Sequence, residues 1–261
     1  MDLKLKDKVV VITAGTGGCG KALVRAFAEE GCRIAVSSTS QAKLDAFIPE
    51  LGLEPGRIMT GVVDMREEAE VKEFIETAYN RYGRIDALVV NQGYEGKRGL
   101  LEDADMENWM QVFFVNTFGV LYALKYTAPI MKRQHSGAIV INCSHGAYLG
   151  SPGLSQYSAS KHATYGLAKS ATLELAPYGV HVNCICPGGI DTPMIQRIEE
   201  MQMPQLAGHE ERMAAMTAGT PDKRYCRPEE VAFMALYLAS ELSAHVNGSG
   251  IRLDGGMDAR D

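Results

Sequence analysis

Short runs of apolar and β-branched residues alternate with longer amphipathic stretches along the whole chain. The short runs are almost continuously apolar, as in strands that are buried on both faces of a parallel sheet. The longer stretches repeat apolar positions at the helical period. The pattern predicts strands at 8–13, 33–37, 58–64, 85–91, 137–144, 180–186 and 250–256. It predicts helices at 21–30, 41–51, 67–82, 106–134, 156–177 and 228–240. This regular order of strand and helix predicts an α/β fold with a doubly wound parallel sheet.

The segment 193–221 interrupts this alternation. It has no strand character and contains the methionines Met194, Met201, Met203, Met213 and Met216. Long insertions in compact domains are often lids or binding loops, so we expect one or two short helices that cover a substrate. The alternative is a surface helical hairpin with a methionine-filled core. Since no internal repeat or linker occurs, we expect one domain over 1–261.

Composition and charge exclude several classes of protein. With 46% hydrophobic and 22% charged residues the chain is typical of a globular domain. Its net charge of −6 includes no basic patch for nucleic acid. The start, MDLKLKDKVVVIT, carries charges where a signal peptide has an apolar core. We therefore expect a cytoplasmic protein without nucleic-acid or membrane partners. The six cysteines have neither CxxC nor zinc-site spacing, which favours buried reduced thiols and no metal site.

A glycine-dense turn, TAGTGGCGK, joins the first predicted strand to the first predicted helix. Gly15, Gly17 and Gly20 fit the pattern GxGxxG, in which a missing Cβ permits a tight turn and close approach to a pyrophosphate. The following helix N-terminus offers free N–H groups and a positive dipole to phosphates. At the end of the first strand of a doubly wound sheet, this turn predicts a dinucleotide cofactor.

The end of the second predicted strand indicates which dinucleotide is bound. An acidic residue about 20 positions after the glycines would hold the ribose 2′-hydroxyl of NAD. This chain has SSTS at 37–40, and the first carboxylate after this stretch is that of Asp45. Hydroxyl groups, free N–H groups and Lys43 suit a 2′-phosphate, so we expect NADP(H) to be preferred over NAD(H).

The stretch YSASKHATYGLAKS, at 157–170, contains a tyrosine–lysine pair twice at the same spacing. Tyr157 and Lys161 lie four residues apart and therefore share one face of a helix. A lysine cation in this position stabilises a phenolate, so the pair could transfer a proton. Because Tyr165 and Lys169 repeat the spacing, the spacing alone does not identify a catalytic pair.

Several motifs, in the same order along about 5–256, resemble those of the short-chain dehydrogenase/reductase family. The family motif Thr-Gly-x-x-x-Gly-x-Gly maps onto Thr13, Ala14, Gly18 and Gly20, a different frame from GxGxxG. Ala14 replaces its first glycine. Asn-Asn-Ala-Gly appears as VNQG, so only Asn91 and Gly93 carry over. Further matches are Asp64 in VVDM, Asn116 in VNTFG, Ser144 in INCSHGA, Tyr157 and Lys161 in YSASK, and PGGIDT at 187–192.

The resemblance implies a Rossmann fold and hydride transfer between a nicotinamide and a carbinol or carbonyl carbon. The implied catalytic residues are Asn116, Ser144, Tyr157 and Lys161. Tyr157 would exchange a proton with the substrate beside Lys161, Ser144 would bind the substrate oxygen, and Asn116 would hold a water that links Lys161 to solvent. Together with the glycine turn, the resemblance gives as cofactor-binding residues Thr13, Gly15, Thr16, Gly17, Gly18, Cys19, Gly20, Ser37, Ser38, Thr39, Asp64, Met65, Asn91, Gly93, Tyr157, Lys161, Pro187, Gly188, Ile190 and Thr192. Tyr165 and Lys169 match no motif and are expected to be structural.

The predicted substrate pocket combines the methionine-rich segment with Tyr94, Glu95, His145, Tyr148 and Gln156. Methionine adapts to irregular apolar shapes, so we expect a secondary alcohol or ketone with an apolar body, such as a hydroxysteroid or an alicyclic ketone. His145 is either a pocket wall or a second acid.

Two other functions stay open at this point. A 3-oxoacyl-[acyl-carrier-protein] reductase would share all these motifs, and Lys132 and Arg133 could dock its acidic carrier. A non-catalytic dinucleotide-binding regulator is the third hypothesis, although such relatives usually lose the tyrosine or lysine that this chain keeps. The resemblance also implies a homo-oligomer, usually a tetramer, that assembles through 106–134, 156–177 and 250–256.

Overall fold

The computed structural model describes residues 2–259, so the ends of the predicted domain, residues 1, 260 and 261, lie outside the described residues. One seven-stranded sheet has the order β3-β2-β1-β4-β5-β6-β7, and all neighbouring strands are parallel. The chain runs from β1 to one edge and then returns to β4 beside β1, as in a doubly wound sheet. The predicted fold class is confirmed. The strands are β1 Val9–Ile12, β2 Arg33–Ser38, β3 Ile58–Val62, β4 Ala87–Val90, β5 Gly137–Asn142, β6 Val180–Pro187 and β7 Gly250–Leu253.

Helices cover both faces of the sheet and bury two separate cores. On one face α1 and α9 pack together near α2, and on the other face lie α3, α5 and α6. Adjacent side chains of a strand point to opposite faces; Val10 and Ile12 of β1 join the first core and Val11 the second. The helices are α1 Gly18–Glu29, α2 Gln41–Phe47, α3 Glu68–Tyr82, α4 Met106–Phe113, α5 Gly119–Gln134, α6 Ser155–Leu175, α7 Pro193–Gln202, α8 His209–Met216 and α9 Pro228–Ala239.

The predicted helix 106–134 is interrupted. Between α4 and α5 the residues Phe114–Phe118 form a π-helical turn, and Asn116 lies inside it with no exposed surface. Such turns are frequent at functional sites, because one wider turn re-aims the side chains on it. The apolar pattern continues through the turn, so periodicity could not indicate it.

The methionine-rich segment contains α7 and α8, which agrees with the expectation of one or two short helices. They follow β6 and therefore start at the carboxyl edge of the sheet. Within residues 2–259 we find no helix with the length and apolar character that crossing a membrane requires.

Candidate active site

A cleft of about 710 Å³ opens at the carboxyl ends of the strands, where the strand order reverses beside β1. This is where open α/β sheets bind their ligands, and the volume is in the range of small-molecule sites. The glycine turn forms one end, and α7 closes the other. Of the predicted site residues, those that line the cleft are Thr16, Gly17, Gly18, Cys19, Thr39, Asn91, Gly93, Ser144, Tyr157, Lys161, Pro187, Gly188, Ile190 and Thr192.

The glycines of the turn have different structural roles. A Cβ on Gly20 would overlap the backbone of Ala14 and Gly15, and a Cβ on Gly15 would overlap the Val36 side chain. These two glycines allow α1 to lie close against the strands. A Cβ on Gly17 would lie 3.6 Å from the Ala14 carbonyl oxygen, at ordinary contact distance. Gly17 is exposed and borders the open cleft.

Ala14, which stands where the family has its first glycine, has a left-handed backbone with φ of 50°. This conformation costs an alanine free energy that a glycine would not lose. Neighbouring groups hold the backbone in place. Ala14 N–H donates to Ser37 Oγ at 3.3 Å, and Asn91 Nδ2 donates to the Ala14 carbonyl oxygen at 3.2 Å.

Thr13 joins the ends of β1 and β4 behind the cleft. Its buried hydroxyl donates to Gln92 Oε1 at 2.6 Å and accepts from Asn91 N–H at 2.9 Å. The position that the family fills with alanine in Asn-Asn-Ala-Gly is therefore occupied here by Gln92, which accepts a hydrogen bond from the threonine of the turn.

The serines after the second strand lie behind the cleft wall. Ser37 and Ser38 are buried, and the Ser38 hydroxyl shares a 2.6 Å hydrogen bond with the Thr16 hydroxyl. Thr39 and Lys43 do line the cleft. Among residues 2–259, no aspartate or glutamate belongs to the lining.

Asp64 and Met65 do not reach the cleft lining either. Arg66 donates to both Asp64 carboxylate oxygens and holds the pKa of that carboxyl below its usual value. Met65 is buried, and its carbonyl oxygen packs against Gly119 at the start of α5.

Ser144 and Tyr157 face each other across Gly146. Ser144 follows β5, and its Oγ accepts a hydrogen bond from Gly146 N–H at 3.0 Å. A Cβ on Gly146 would lie 3.4 Å from both Ser144 Oγ and Tyr157 Cε1. Since the Ser144 oxygen already accepts from the backbone, its own proton is available to a substrate oxygen.

Lys161 lies one helical turn after Tyr157 and is 3% exposed. Its Nζ lies 5.6 Å from the centre of the Tyr157 ring and donates to the Asn142 carbonyl oxygen at 3.4 Å. Asn142, whose side chain donates to Asn91 Oδ1 at 2.9 Å, also lines the cleft. The sequence motifs gave no signal for Asn142.

Asn116 fixes the segment that follows β4. Its Oδ1 accepts from Tyr94 N–H at 2.8 Å, and its Nδ2 donates to the Tyr94 carbonyl oxygen at 2.9 Å and to Ser160 Oγ at 3.0 Å. Asn116 does not line the cleft, and its amide orients the backbone beside Gly93, which does. The water predicted to link it to Lys161 stays a prediction.

The second tyrosine–lysine pair, Tyr165 and Lys169, forms a packing contact outside the cleft lining. Lys169 Nζ lies 4.2 Å from the centre of the Tyr165 ring, in cation–π range. Tyr165 packs on Tyr148, and neither lines the cleft. Identical helical spacing therefore yields a structural pair one and two turns beyond the cleft.

The end of the cleft beside α7 differs from the predicted substrate pocket. His145 lines it, and because its Nδ1 lies 3.2 Å from the Pro187 carbonyl oxygen, Nδ1 carries the proton. Tyr94, Glu95, Tyr148 and Gln156 do not line it. Two of the five methionines of the segment 193–221, Met194 and Met216, do line it, together with Leu154, Ile195, Arg197, Ile198 and Gln202. Sequence reasoning missed Arg197, because a single arginine in an amphipathic helix gives no signal.

Comparison with known proteins agrees with the geometry. A short chain dehydrogenase family model matches residues 8–203. The 3-oxoacyl-[acyl-carrier-protein] reductase of Thermotoga maritima is 34% identical over 98% of this chain and 99% of its own length. Levodione reductase of Leifsonia aquatica is 34% identical over 98% of this chain and 96% of its own. A crystal structure of levodione reductase superimposes with a TM-score of 0.93 at 31% identity, covering 98% of this chain and 100% of the other.

The family match covers the glycine turn, the Ser144–Tyr157–Lys161 cluster and α7. Relatives across this range are named as reductases and dehydrogenases. The chain therefore belongs to the short-chain dehydrogenase/reductase family, as an NAD(P)-dependent oxidoreductase that acts on CH–OH or keto groups.

Proposed function

We propose that the protein interconverts a secondary alcohol and a ketone, on a substrate with a largely apolar body such as an alicyclic ketone or a hydroxysteroid. The observation that carries the proposal is that Ser144, Tyr157 and Lys161 line one cleft with the glycine turn and the apolar side chains of α7. Leu154, Ile195 and the two lining methionines supply apolar walls, to which a few polar groups add orientation.

The residues of the cleft fit a nicotinamide dinucleotide. Gly17 and Gly18 leave the N-terminus of α1 open toward the cleft, where free N–H groups suit a pyrophosphate. Lys161 would hold the nicotinamide ribose, and the lining segment from Pro187 to Thr192 the nicotinamide amide. When bound, the cofactor supplies the hydride chemistry.

The chain's own residues would move and stabilise the proton. The Tyr157 hydroxyl would give its proton to the carbonyl oxygen in reduction and take it back in oxidation. Lys161 would favour the resulting phenolate by its charge. Ser144 would donate its hydroxyl proton to the same substrate oxygen as negative charge develops there, since Gly146 N–H already occupies an acceptor site on Ser144 Oγ.

Tyr157→Phe tests the reaction. We expect kcat/KM for a cyclic ketone to fall by about 10²–10⁴, the usual contribution of a general acid, with dinucleotide affinity little changed. Tyr165→Phe is the matched control, since that tyrosine lies outside the cleft lining. Equal loss in both variants would refute the assignment of Tyr157.

For the cofactor we propose a preference for NADP(H). Support comes from Lys43 and Thr39 in the lining and from the lack of an acidic side chain there within residues 2–259. Fluorescence titration should give tighter binding of NADPH than of NADH. Lys43→Met should weaken the binding of NADPH and leave that of NADH unchanged. Tighter NADH binding would overturn the preference.

A 3-oxoacyl-[acyl-carrier-protein] reductase is the second candidate, favoured by the 34% identical relative of that name. Its carrier would need basic residues near the cleft. Lys132 and Arg133 lie at the end of α5, which leads into the start of β5, at the sheet edge opposite this cleft. They stack over Tyr178 and Tyr79, so a carrier bound there would have to serve the cleft of another copy. Higher kcat/KM on carrier-bound than on free thioesters would favour this candidate.

We also propose that the chain forms a homotetramer. Support comes from exposed apolar side chains on three helices of one layer, Met110 of α4, Leu121 of α5 and Leu173 of α6, which is 79% exposed. Light scattering after size-exclusion chromatography should give the mass of four chains, and the mass of one chain would refute the proposal.

A further inference from the structure

One charged side chain at the substrate end of the cleft has no role in the reaction described above. Arg197 projects from α7 into the lining, and its side chain is 54% exposed. Its Nε donates to Glu95 Oε1 at 2.6 Å. Glu95 follows β4, is 2% exposed, and does not line the cleft.

This contact uses only one edge of the guanidinium. Within residues 2–259, the hydrogen bond from Nε to Glu95 is the only one that the Arg197 side chain makes, so both Nη groups keep their donors. A guanidinium fork suits the two oxygens of a carboxylate. Because the buried Glu95 holds Nε, the side chain is already oriented, and less conformational entropy is lost when a ligand binds.

The charge of the lining has the same sign throughout. Lys43, Lys161 and Arg197 are its charged residues within the described chain, although the whole protein has a net charge of −6. Lys43 and Lys161 are explained by an anionic cofactor. Arg197 lies with Ile198 and Gln202 on α7, among the apolar residues that would surround the substrate.

We infer that the substrate carries an anionic group, a carboxylate, away from its reacting carbon, and that Arg197 is the residue that selects it. This inference rests on the proposed alcohol–ketone chemistry and names the substrate class as oxo acids and hydroxy acids with an apolar body. The apolar lining binds the carbon skeleton, and the Nη groups bind the carboxylate.

The burial of Glu95 determines which variants can test Arg197. Removing Arg197 alone would leave the Glu95 carboxylate buried without a partner, which is strongly destabilising. The informative comparison is therefore Glu95→Gln against the double variant Glu95→Gln, Arg197→Met, since both lack the buried charge. Gln196→Met, an exposed neighbour on α7 outside the lining, is the control.

The first readout is kcat/KM for 4-oxocyclohexanecarboxylate and 5-oxohexanoate, each against its methyl ester. The wild type, Glu95→Gln and Gln196→Met should prefer the acids. In the double variant kcat/KM for the acids should fall by about 10- to 100-fold, the range of a charge-assisted bidentate contact. Its kcat/KM for the esters should fall by less than about 3-fold.

The second readout is the affinity of cyclohexanecarboxylate for the protein saturated with dinucleotide, which does not depend on turnover. If no ketone reacts but this affinity falls in the double variant, the proposed reaction is wrong and the anion site stands. If acids and esters lose activity together, Arg197 only holds α7 in place, and the inference is overturned. It is equally overturned if acid affinity is unchanged in the double variant.

Discussion

Glu199 is the most deeply buried charge of the methionine-rich segment 193–221, and its removal should open that segment. The carboxylate has no exposed surface. Its Oε1 accepts from the Tyr225 hydroxyl at 2.6 Å, and its Oε2 lies 2.8 Å from His209 Nδ1. Arg212 Nε lies 4.0 Å away. These contacts join α7 to α8 and to the segment before α9. Burial, and then the bond to Glu199, raises the pKa of the Tyr225 hydroxyl, which therefore stays a donor.

These contacts set the free energy of stabilisation that Glu199→Ala should remove. Two hydrogen bonds to a charged group contribute about 1.5–3 kcal/mol each, or about 3–6 kcal/mol together. The desolvation of the buried carboxylate, which the variant no longer suffers, offsets part of this. We expect Glu199→Ala to lower the stability of the segment by about 2–4 kcal/mol in total. All partners belong to the segment 193–221 or directly follow it, so the loss of stability should appear as local opening, with the open population raised about 10²-fold.

Native-state hydrogen exchange measures this opening. Amides of α7 and α8 should exchange about 10²-fold faster in Glu199→Ala, whereas amides of β1, β4 and β5 keep their protection. KM for a ketone should rise together with the exchange rates, because α7 lines the end of the cleft at which we propose that the substrate binds. Glu199→Gln keeps an acceptor for the Tyr225 hydroxyl, so its amides in α7 and α8 should lose less protection than those of Glu199→Ala.

Glu200→Ala is the matched control, since this neighbouring side chain is 61% exposed and its ion pair with Arg212 has a separation of 3.6 Å. Unchanged exchange in α7 and α8 of Glu199→Ala, or equal effects in both variants, would refute the role of Glu199 in closing the segment. Faster exchange with an unchanged KM would show that the segment is a structural hairpin without a lid function.

Three further predictions concern the turn and the start of α9. Gly20→Ala should lower the free energy of unfolding by about 3 kcal/mol, because its Cβ overlaps the Ala14 backbone. Gly17→Ala should change the free energy of unfolding by less than about 1 kcal/mol and weaken only dinucleotide binding. Urea denaturation that showed Gly17→Ala to be the less stable variant would contradict the packing argument. Ala14→Gly should stabilise by about 0.5–1 kcal/mol, since the left-handed strain of about 1–2 kcal/mol exceeds the entropy that a glycine loses on folding; a lower unfolding midpoint would refute this. Arg224 donates to both Glu230 oxygens, and this lowers the pKa of Glu230 from 4.5 to about 2. Because that folded-state pKa is depressed, the stabilisation is present above the unfolded value and is lost as pH falls through about 2. Glu230→Gln should thus be less stable than the wild type at pH 7 by about 1 kcal/mol, given partial exposure, and the difference should vanish in acid melts; a difference that persisted at low pH would count against the ion pair.

The sequence by itself determined the order of strands and helices, because buried strands and amphipathic helices have different periods. It also located the glycine turn and, through family motifs, Ser144, Tyr157 and Lys161, which the structure brings to one cleft. These features are local: each motif spans a few residues, and the topology of a doubly wound sheet gathers the strand ends at one edge.

Only the tertiary structure decided which side chains of these segments reach the cleft. The sequence treats the hydroxyls at 37–40 alike, yet Ser37 and Ser38 are buried behind the wall, whereas Thr39 lies in the lining. The π-helical turn at Asn116 depends on backbone hydrogen bonding that side-chain periodicity does not encode. The bond from Arg197 to Glu95 joins residues 102 positions apart. Such contacts depend on how α7 packs against the loop after β4, and packing is a property of the folded chain that neither segment carries alone.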